Sequence, residues 1–304
     1  MTQIISHGRV TWTNITQPTP ADVDQLRQRQ PYIHPLNLED VLSPIERPKI
    51  DEDPNYIFVV LHFPLWDADS RLSRASEVDL FVGRGQLVTI HSGNLKPLNN
   101  LFALCEGNET ERARLMGTGA SHVFYVIIDQ LVDYIFPILR KVDNNINSIE
   151  DEIFTSDTRT SIREIALVRR DAIALRRIIR QQVPIVERLE HIDHPIILED
   201  QEEYFGDITD HLYRARDIID EDFEVIGSLA ETADTLASHR INEVMRILTV
   251  ISVIMLPMTL ISSIYGMNID LPFSHHPSAF TLIAGIMVII VVFMLVYFRR
   301  RNWL

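Results

Sequence analysis

The sequence has a single cysteine, Cys105, and none of the common signatures of enzymes. One cysteine excludes a disulfide within the chain and suits a reducing compartment. The 304 residues contain no Walker loop, no nucleophile elbow and no His-Glu-x-x-His pattern. We therefore expect a protein that is not an enzyme and that carries no cofactor.

Charged residues are missing from two long stretches near the C-terminus, Ile247–Tyr265 and Ala279–Phe298. Each stretch approaches the roughly 20 apolar residues that cross a bilayer. A buried core helix could be as apolar, but it rarely lacks charge over such a length. The pattern predicts two transmembrane helices, at 247–267 and 279–298, joined by a loop at 268–278.

Basic residues are also missing from that loop, whereas Arg299, Arg300 and Arg301 directly follow the second stretch. The first seven residues lack the basic and apolar segments of a signal peptide. By the positive-inside rule, we expect the basic tail at 299–304 and the large N-terminal part to lie in the cytoplasm. The predicted location is the plasma (inner) membrane.

Acidic residues outnumber basic ones, and the formal net charge is −14. This balance argues against a nucleic-acid partner, which requires a basic surface. The excess of carboxylates is explained either by solubility or by attraction of divalent cations. Charge alone does not decide between them.

Residues 1–118 have the pattern of a cytoplasmic α/β domain, and long helices follow. Short β-branched and aromatic runs predict strands at 10–12, 56–63, 78–82 and 86–91, the last two joined by Gly83-Arg84-Gly85. Helices are expected at 20–29 and 97–116. Apolar residues at three- and four-residue spacing predict a helical hairpin at 119–195, with helices at 123–154 and 158–189. Pro137 and Pro184 could kink them.

An apolar stripe then continues without proline from Phe205 into the first apolar stretch. The stripe predicts one helix from about Leu198 to Tyr265, a stalk at 196–246 followed by the first span. Such a helix would be on the order of 100 Å long. It cannot bury its stripe alone, so we expect a homo-oligomeric bundle.

One face of this helix is polar but neutral. Its members recur every three or four residues: Asn242, Met245, Thr249, Ser252, Leu256, Thr259 and Ser263. Close packing of membrane helices through small residues would explain the face. A pore lining would explain it too. A face without carboxylates suits an ion that keeps its waters, as Mg²⁺ does. Apolar rings at Met245, Leu248 and Leu256 could gate such a pore by dewetting.

Tyr265-Gly266-Met267-Asn268, at the end of the first of two C-terminal spans, resembles the CorA family of divalent-cation transporters. Further segments resemble the family's pore helix, stalk, soluble domain and tail: Asn242-Glu243-Val244-Met245, Pro257-Met258-Thr259-Leu260, Tyr204-Phe205-Gly206-Asp207, Asp210-His211, Asn37–Leu42, Arg47–Ile50 and, for the tail, Trp303-Leu304. The resemblance covers nearly the whole chain.

The resemblance implies a funnel-shaped homopentamer that passes hydrated Mg²⁺, and also Co²⁺ or Ni²⁺, into the cytoplasm. Gly266, Met267 and Asn268 would form the outer mouth. Asn242, Met245, Leu248, Leu256, Thr259 and Ser263 fall at pore positions. Asp207 would share a regulatory cytoplasmic Mg²⁺ with an acid of the neighbouring subunit, which the sequence does not place. Glu231 would belong to an acidic ring at the cytoplasmic entrance. Asp207 could instead be an ordinary solvated residue of the stalk.

The loop departs from the family pattern. Ile269–His276 replaces the usual Met-Pro-Glu-Leu segment, Ser263 stands where relatives often have Gly, and Leu256 where they often have Met. His275 and His276 could bind Zn²⁺, Co²⁺ or Ni²⁺, but adjacent loop histidines are more often solvated. His191 and His194 flank a helix end and favour a turn. A proton-coupled Zn²⁺ transporter and a non-conducting membrane scaffold or sensor stay open as alternatives.

Overall fold

The computed structural model describes residues 1–43, 46–155, 157–198, 201–267, 278–301 and 303. The chain divides into two units, Met1–Ala230 and Glu231–Leu304, and each is described by itself.

The first unit is built on a six-stranded sheet. Its strands are β1 (Thr2–His7), β2 (Val10–Thr16), β3 (Lys49–Asp53), β4 (Tyr56–Asp67), β5 (Leu72–Gly83) and β6 (Gln86–His91). Their order across the sheet is β1-β2-β6-β5-β4-β3. β2 and β6 run parallel, and the other neighbours are antiparallel. The strands predicted at 56–63, 78–82 and 86–91 are confirmed, the first two as parts of longer strands, and the strand predicted at 10–12 continues to Thr16.

Glycine determines the hairpin between β5 and β6. Gly85 has φ +70°, and a Cβ at this position would come within 2.5 Å of the carbonyl oxygen of Arg9. A side chain would therefore be strained in its backbone and would also clash. The turn pairs Gly83 with Gln86, which confirms the predicted hairpin.

Helices cover both faces of the sheet. On one face, α1 (Pro20–Arg29) and α2 (Pro35–Asp40) bring Val23, Leu26 and Leu38 into a core with sheet residues such as Phe58 and Phe81. α1 begins at Thr19, which forms a capping box with Asp22, and Pro20 occupies the first turn. Side chains alternate along a strand, so Ile57, Val59 and Leu61 face the other side, where they are fully buried.

The region expected to be helical at 97–116 is helical, but it is divided into two helices. The structure has α3 (Lys96–Gly107) and α4 (Glu109–Met116), separated at Asn108. The Asn108 backbone is extended, and its side chain accepts hydrogen bonds from the backbone N–H groups of Thr110 and Glu111. An asparagine that caps a new helix in this way ends the previous one.

The helix expected at 123–154, with a kink at Pro137, is broken there into two helices, α5 (Ala120–Asp133) and α6 (Ile135–Glu152). Pro137 lies in the first turn of α6. A proline ring clashes with the carbonyl four residues earlier, here that of Asp133, so the helix breaks beside this residue. α5 and the next helix, α7 (Thr158–Glu190), contact β4, β5 and β6.

The long helix α8 begins in the first unit and ends in the second. α8 runs from Glu202 to Tyr265, close to the start expected at Leu198, and Pro257 lies inside it. In the first unit it is tied to α7 by Asp220, whose carboxylate accepts hydrogen bonds from Arg176 Nε at 2.5 Å and from Arg180 Nη2 at 2.8 Å. Such two-cation contacts fix the register between two helices.

The second unit contains the rest of α8 and α9 (Ala279–Arg300). Three helical stretches of the described residues are long and apolar enough to cross a membrane, namely Ala120–Glu152, Glu202–Tyr265 and Phe280–Arg300. Half of the apolar window in Ala120–Glu152 is buried by the first unit, whereas little or none is buried in the other two. An α/β domain followed by long helices and apolar C-terminal helices confirms the predicted fold class of the single chain.

Candidate functional site

The neutral face predicted on the C-terminal part of α8 is continuous, since α8 has no break up to Tyr265. All eight predicted lining residues of this face are exposed in the chain: Asn242, Met245, Leu248, Thr249, Ser252, Leu256, Thr259 and Ser263. Leu256 is the most exposed of the large apolar ones, at 69%. The face is therefore free to meet solvent or other chains.

Hydroxyl groups on this face donate their protons to their own helix. Thr249 Oγ1 donates to the Met245 carbonyl at 2.7 Å, Ser252 Oγ to that of Leu248 at 2.9 Å, and Thr259 Oγ1 to that of Met255 at 2.9 Å. The hydroxyl oxygens keep their lone pairs as acceptors. Water molecules around a cation point their hydrogens outward, so a row of acceptors matches a hydrated cation.

Gly266 ends α8 at the start of the predicted outer mouth. Its N–H donates to the Ser262 carbonyl at 2.9 Å, and a Cβ at this position would lie 3.0 Å from the same oxygen. A larger residue would press against the helix end. Met267 is half-exposed, and Asn268, with 269–277 including Asp270, His275 and His276, lies outside the described residues.

The first unit contains a cluster of two carboxylates and one imidazole, formed by Asp129 of α5 with Asp207 and His211 of α8. One ligand atom from each lies within 4.8 Å of the others, and no other such group occurs among the described residues. Asp207 and His211 are four residues apart, so they share one face of α8. Asp207 is exposed and the other two are half-buried.

Electrostatics in the cluster favour a cation. Burial raises the pKa of Asp129, and the negative charges of Asp133 and Asp207 raise it further, against the opposing effect of His211. His211 Nδ1 lies 3.3 Å from Asp133 Oδ1, yet this buried nitrogen makes no hydrogen bond within the described part of the chain. A bound cation would relieve the repulsion between the carboxylates.

Aromatic side chains hold α5 and α8 together beside the cluster. The rings of Phe124 and Phe205 are 5.8 Å apart, and those of Tyr125 and Tyr204 are 5.2 Å apart. Asp129 lies one turn after Tyr125, and Asp207 follows Phe205 by two residues. These contacts therefore set the two carboxylates opposite each other.

Sequence reasoning selected Asp207 but missed Asp129 and His211 as its partners. Both helices carry polar pairs at four-residue spacing, Asp129 with Asp133 and Asp207 with His211, and this pattern could have pointed to the pairing. The acid expected from a neighbouring subunit stays a prediction. The donor set fits a divalent ion, because carboxylates suit Mg²⁺ and imidazole suits Zn²⁺, Co²⁺ or Ni²⁺.

The remaining predicted residues are not members of the cluster. Glu231 is exposed at the start of the second unit. His191 ends α7, and His194 Nε2 contacts the carbonyl oxygen of Asp53 at 2.9 Å while its Nδ1 accepts from the N–H of Ile196. The interpretation of His191–His194 as a turn is confirmed.

An α/β domain with an acid–histidine cluster, followed by apolar helices with a neutral polar face, defines a membrane protein that handles cations. A family model described as "CorA-like Mg2+ transporter protein" matches residues 7–300. The chain belongs to this family of divalent-cation transporters.

Curated relatives agree with the family. The chain is 31% identical to the putative metal ion transporter YfjQ of Bacillus subtilis, over 96% of this chain and 89% of that one. It is 29% identical to the cobalt/magnesium transport protein CorA of Thermotoga maritima, over 97% and 83%. It is also 19% identical to the zinc transport protein ZntB of Yersinia pseudotuberculosis, over 99% and 90%.

A solved structure shares the fold over the full length. The CorA magnesium transporter from Methanocaldococcus jannaschii matches with a TM-score of 0.85 at 23% identity, over 99% of this chain and 94% of that one.

Proposed function

We propose that the chain forms a homopentameric, channel-like transporter that passes hydrated Mg²⁺, with Co²⁺ and Ni²⁺ as further cargo, into the cytoplasm. The observation that carries the proposal is the neutral face of α8, whose hydroxyl oxygens are left as acceptors by their bonds to the helix backbone. Five such faces around an axis would line a pore that holds an ion through its waters.

The proposed orientation places both termini in the cytoplasm and the loop at 268–278 outside. It is supported by Arg299, Arg300 and Arg301 at the end of α9 and by the absence of Lys and Arg from the loop. The outer mouth is formed by Gly266, Met267 and Asn268, where the Asn268 amide takes up the incoming hydrated ion.

Flux into liposomes tests the proposal. Purified protein should carry Mg²⁺, Co²⁺ and Ni²⁺, and Asn268→Ala should abolish this flux while the oligomer keeps its size in gel filtration. Normal flux by Asn268→Ala would exclude the proposed mouth. Absence of flux for every divalent ion in the wild type would favour the non-conducting scaffold or sensor instead.

A proton-coupled Zn²⁺ transporter is the second candidate. His211 in the acid–histidine cluster favours it, because imidazole is a better ligand for Zn²⁺ than for Mg²⁺. The same assay separates the candidates when it is run with Zn²⁺ at two pH values. Zn²⁺ uptake that rises at acidic outside pH, with no Mg²⁺ flux, would replace the first proposal.

Regulation is proposed at the cluster of Asp129, Asp207 and His211, where cytoplasmic Mg²⁺ would hold the transporter closed. Millimolar Mg²⁺ should protect the wild-type stalk from protease, and Asp207→Ala should remove most of that protection. Asp210→Ala is the matched control, since Asp210 is exposed on the same helix but lies outside the cluster. Equal protection of wild type and Asp207→Ala would refute this regulatory role.

A further inference from the structure

A second cavity with acidic walls lies between α6 and α8, apart from the acid–histidine cluster. The cavity has a volume of about 450 Å³, and its lining residues come from α6 and α8. Asp143 and Asn147 are one turn apart on α6, and Glu221 and Asp222 are adjacent on α8. All of these residues belong to the first unit.

Asp222 is the unusual member of this cavity. The residue is only 7% exposed, and its Oδ2 has no hydrogen-bond partner within the described residues. A buried carboxylate oxygen without a partner is costly, so the site calls for a positively charged or proton-donating ligand. Burial, together with the charges of Asp143 and Glu221, raises the pKa of Asp222 to about 6.

The protein's own cations do not fill this role. Arg140 and Arg214 line the cavity, but neither makes an ion pair within the part of the chain that the structure describes. The Arg214 guanidinium lies 5.9 Å from the ring centroid of Phe136, on which it stacks. Four carboxylates, including that of Glu150, line the cavity with these two guanidinium groups, which leaves an excess of two negative charges.

The spacing of the donors indicates the form of the ligand. The carboxylates of this cavity are too far apart to coordinate one ion directly. Among the described residues, only Asp129, Asp207 and His211 bring three ligand atoms within 4.8 Å of one another. Mg²⁺ commonly keeps several waters and is held by only one or two carboxylates. A cavity with exposed acids at its rim, an amide at Asn147 and one buried acid fits an ion with part of its water shell.

We propose that this cavity is a second cytoplasmic binding site, where Asp222, Asp143 and Glu221 hold a partly hydrated divalent cation of the Mg²⁺ type. The ion would bridge α6 and α8, because its ligands come from both helices. It would act independently of the acid–histidine cluster, which joins α8 to α5.

Iron-directed cleavage of the full-length protein in detergent tests the site. Fe²⁺ takes the place of Mg²⁺, and ascorbate with hydrogen peroxide then cuts the backbone close to the bound iron. Fragments should end near Asp143 and near Glu221, and excess Mg²⁺ should suppress them. Cuts near Asp129 and Asp207 would arise from the other cluster and are distinguished by position. The assay needs no ion flux, so its outcome is independent of the proposed transport.

Variants decide the assignment. Asp222→Asn should reduce these cuts at least tenfold, and Asp143→Asn at the exposed rim should reduce them without disturbing the buried position. Glu224→Gln, which removes a charge from the same helix outside the cavity, should cut like the wild type. Each variant must elute as the wild type does in gel filtration. Absence of these cuts in the wild type, or unchanged cutting in both Asp222→Asn and Asp143→Asn, would overturn the proposal.

Discussion

Four polar side chains form a buried chain of hydrogen bonds across strands β2 and β6. Trp12 Nε1 donates to Thr89 Oγ1 at 3.0 Å, and Thr89 Oγ1 donates to Asn14 Oδ1 at 2.7 Å. His91 Nε2 contacts the same Asn14 oxygen at 3.0 Å, and His91 Nδ1 accepts from the N–H of Gly93. Because Nδ1 accepts, the proton of a neutral His91 lies on Nε2. A second proton would face the N–H of Gly93.

His91 therefore makes folding sensitive to acid. Burial lowers its pKa to about 4, below the ordinary value of 6.5, so the unfolded chain binds the proton more readily. The contribution of neutral His91 to the free energy of unfolding is fully present above pH 6.5. It is lost as the pH falls from 6.5 to about 4, and the total loss is about 3 kcal/mol. Unfolding measured between pH 4 and 8 should show this slope.

Substitution of His91 separates its share of the pH-dependent stability from that of other titrating groups. His91→Gln should flatten the slope between pH 4 and 6.5, although it lowers stability at neutral pH by breaking hydrogen bonds. His7→Gln, at a half-exposed position of strand β1, is the matched control and should keep the wild-type slope. An unchanged slope in His91→Gln would assign the acid sensitivity to other groups.

At the scale of an element, the polar face of α8 makes a separate prediction. Thr249→Val, Ser252→Ala and Thr259→Val keep the approximate size of each side chain but remove the acceptor oxygen. Combined, they should slow Mg²⁺ flux at least tenfold, because the waters of the ion lose their partners. Ser262→Ala is the control, since Ser262 is about 100° around the helix from Ser263. Equal loss in Ser262→Ala would show that the face has no special role.

The elements that were predicted from sequence are those with strong local patterns. The apolar runs of β4 and β6 predicted strands, and the unbroken apolar stripe of α8 predicted a long helix. β3, with the sequence Lys49-Ile50-Asp51-Glu52-Asp53, has a single buried apolar residue and becomes a strand by pairing with β4. β1 and β3 are the two edge strands of the sheet. β1 is a strand because it pairs with β2. Tertiary pairing of this kind leaves little trace in the local sequence.

In the candidate site, too, local patterns were predicted from sequence and contacts between distant segments were not. The face from Asn242 to Ser263 depends only on helix periodicity, so the sequence predicted it. The pairing of Asp129 with Asp207 depends on the packing of α5 against α8, across 78 positions of sequence. The kink expected at Pro137 is found as a full break between α5 and α6. Local chemistry was therefore accessible, and contacts between distant helices were not.

At the scale of the whole molecule, the proposed oligomer agrees with the apolar side chains that one chain leaves exposed. Ile241, Val244 and Leu248 of α8 are each more than half exposed in the described chain. Copies of the same helix would cover these residues and enclose the neutral face at once, which supports the proposed pentamer. Mass measurement of the detergent-solubilised protein should give five chains per particle.

The driving force of the proposed Mg²⁺ uptake is also a property of the whole molecule. We expect the proposed transport to draw its energy from the ion gradient and the membrane potential. A divalent cation gains about 4.6 kcal/mol per 100 mV, which corresponds to on the order of a thousandfold accumulation at equilibrium. Mg²⁺ uptake into liposomes should therefore rise steeply when a potassium diffusion potential makes the interior negative, and it should not respond to a pH gradient alone. Uptake that follows the pH gradient and ignores the potential would favour the proton-coupled alternative, because only that mechanism draws its energy from protons.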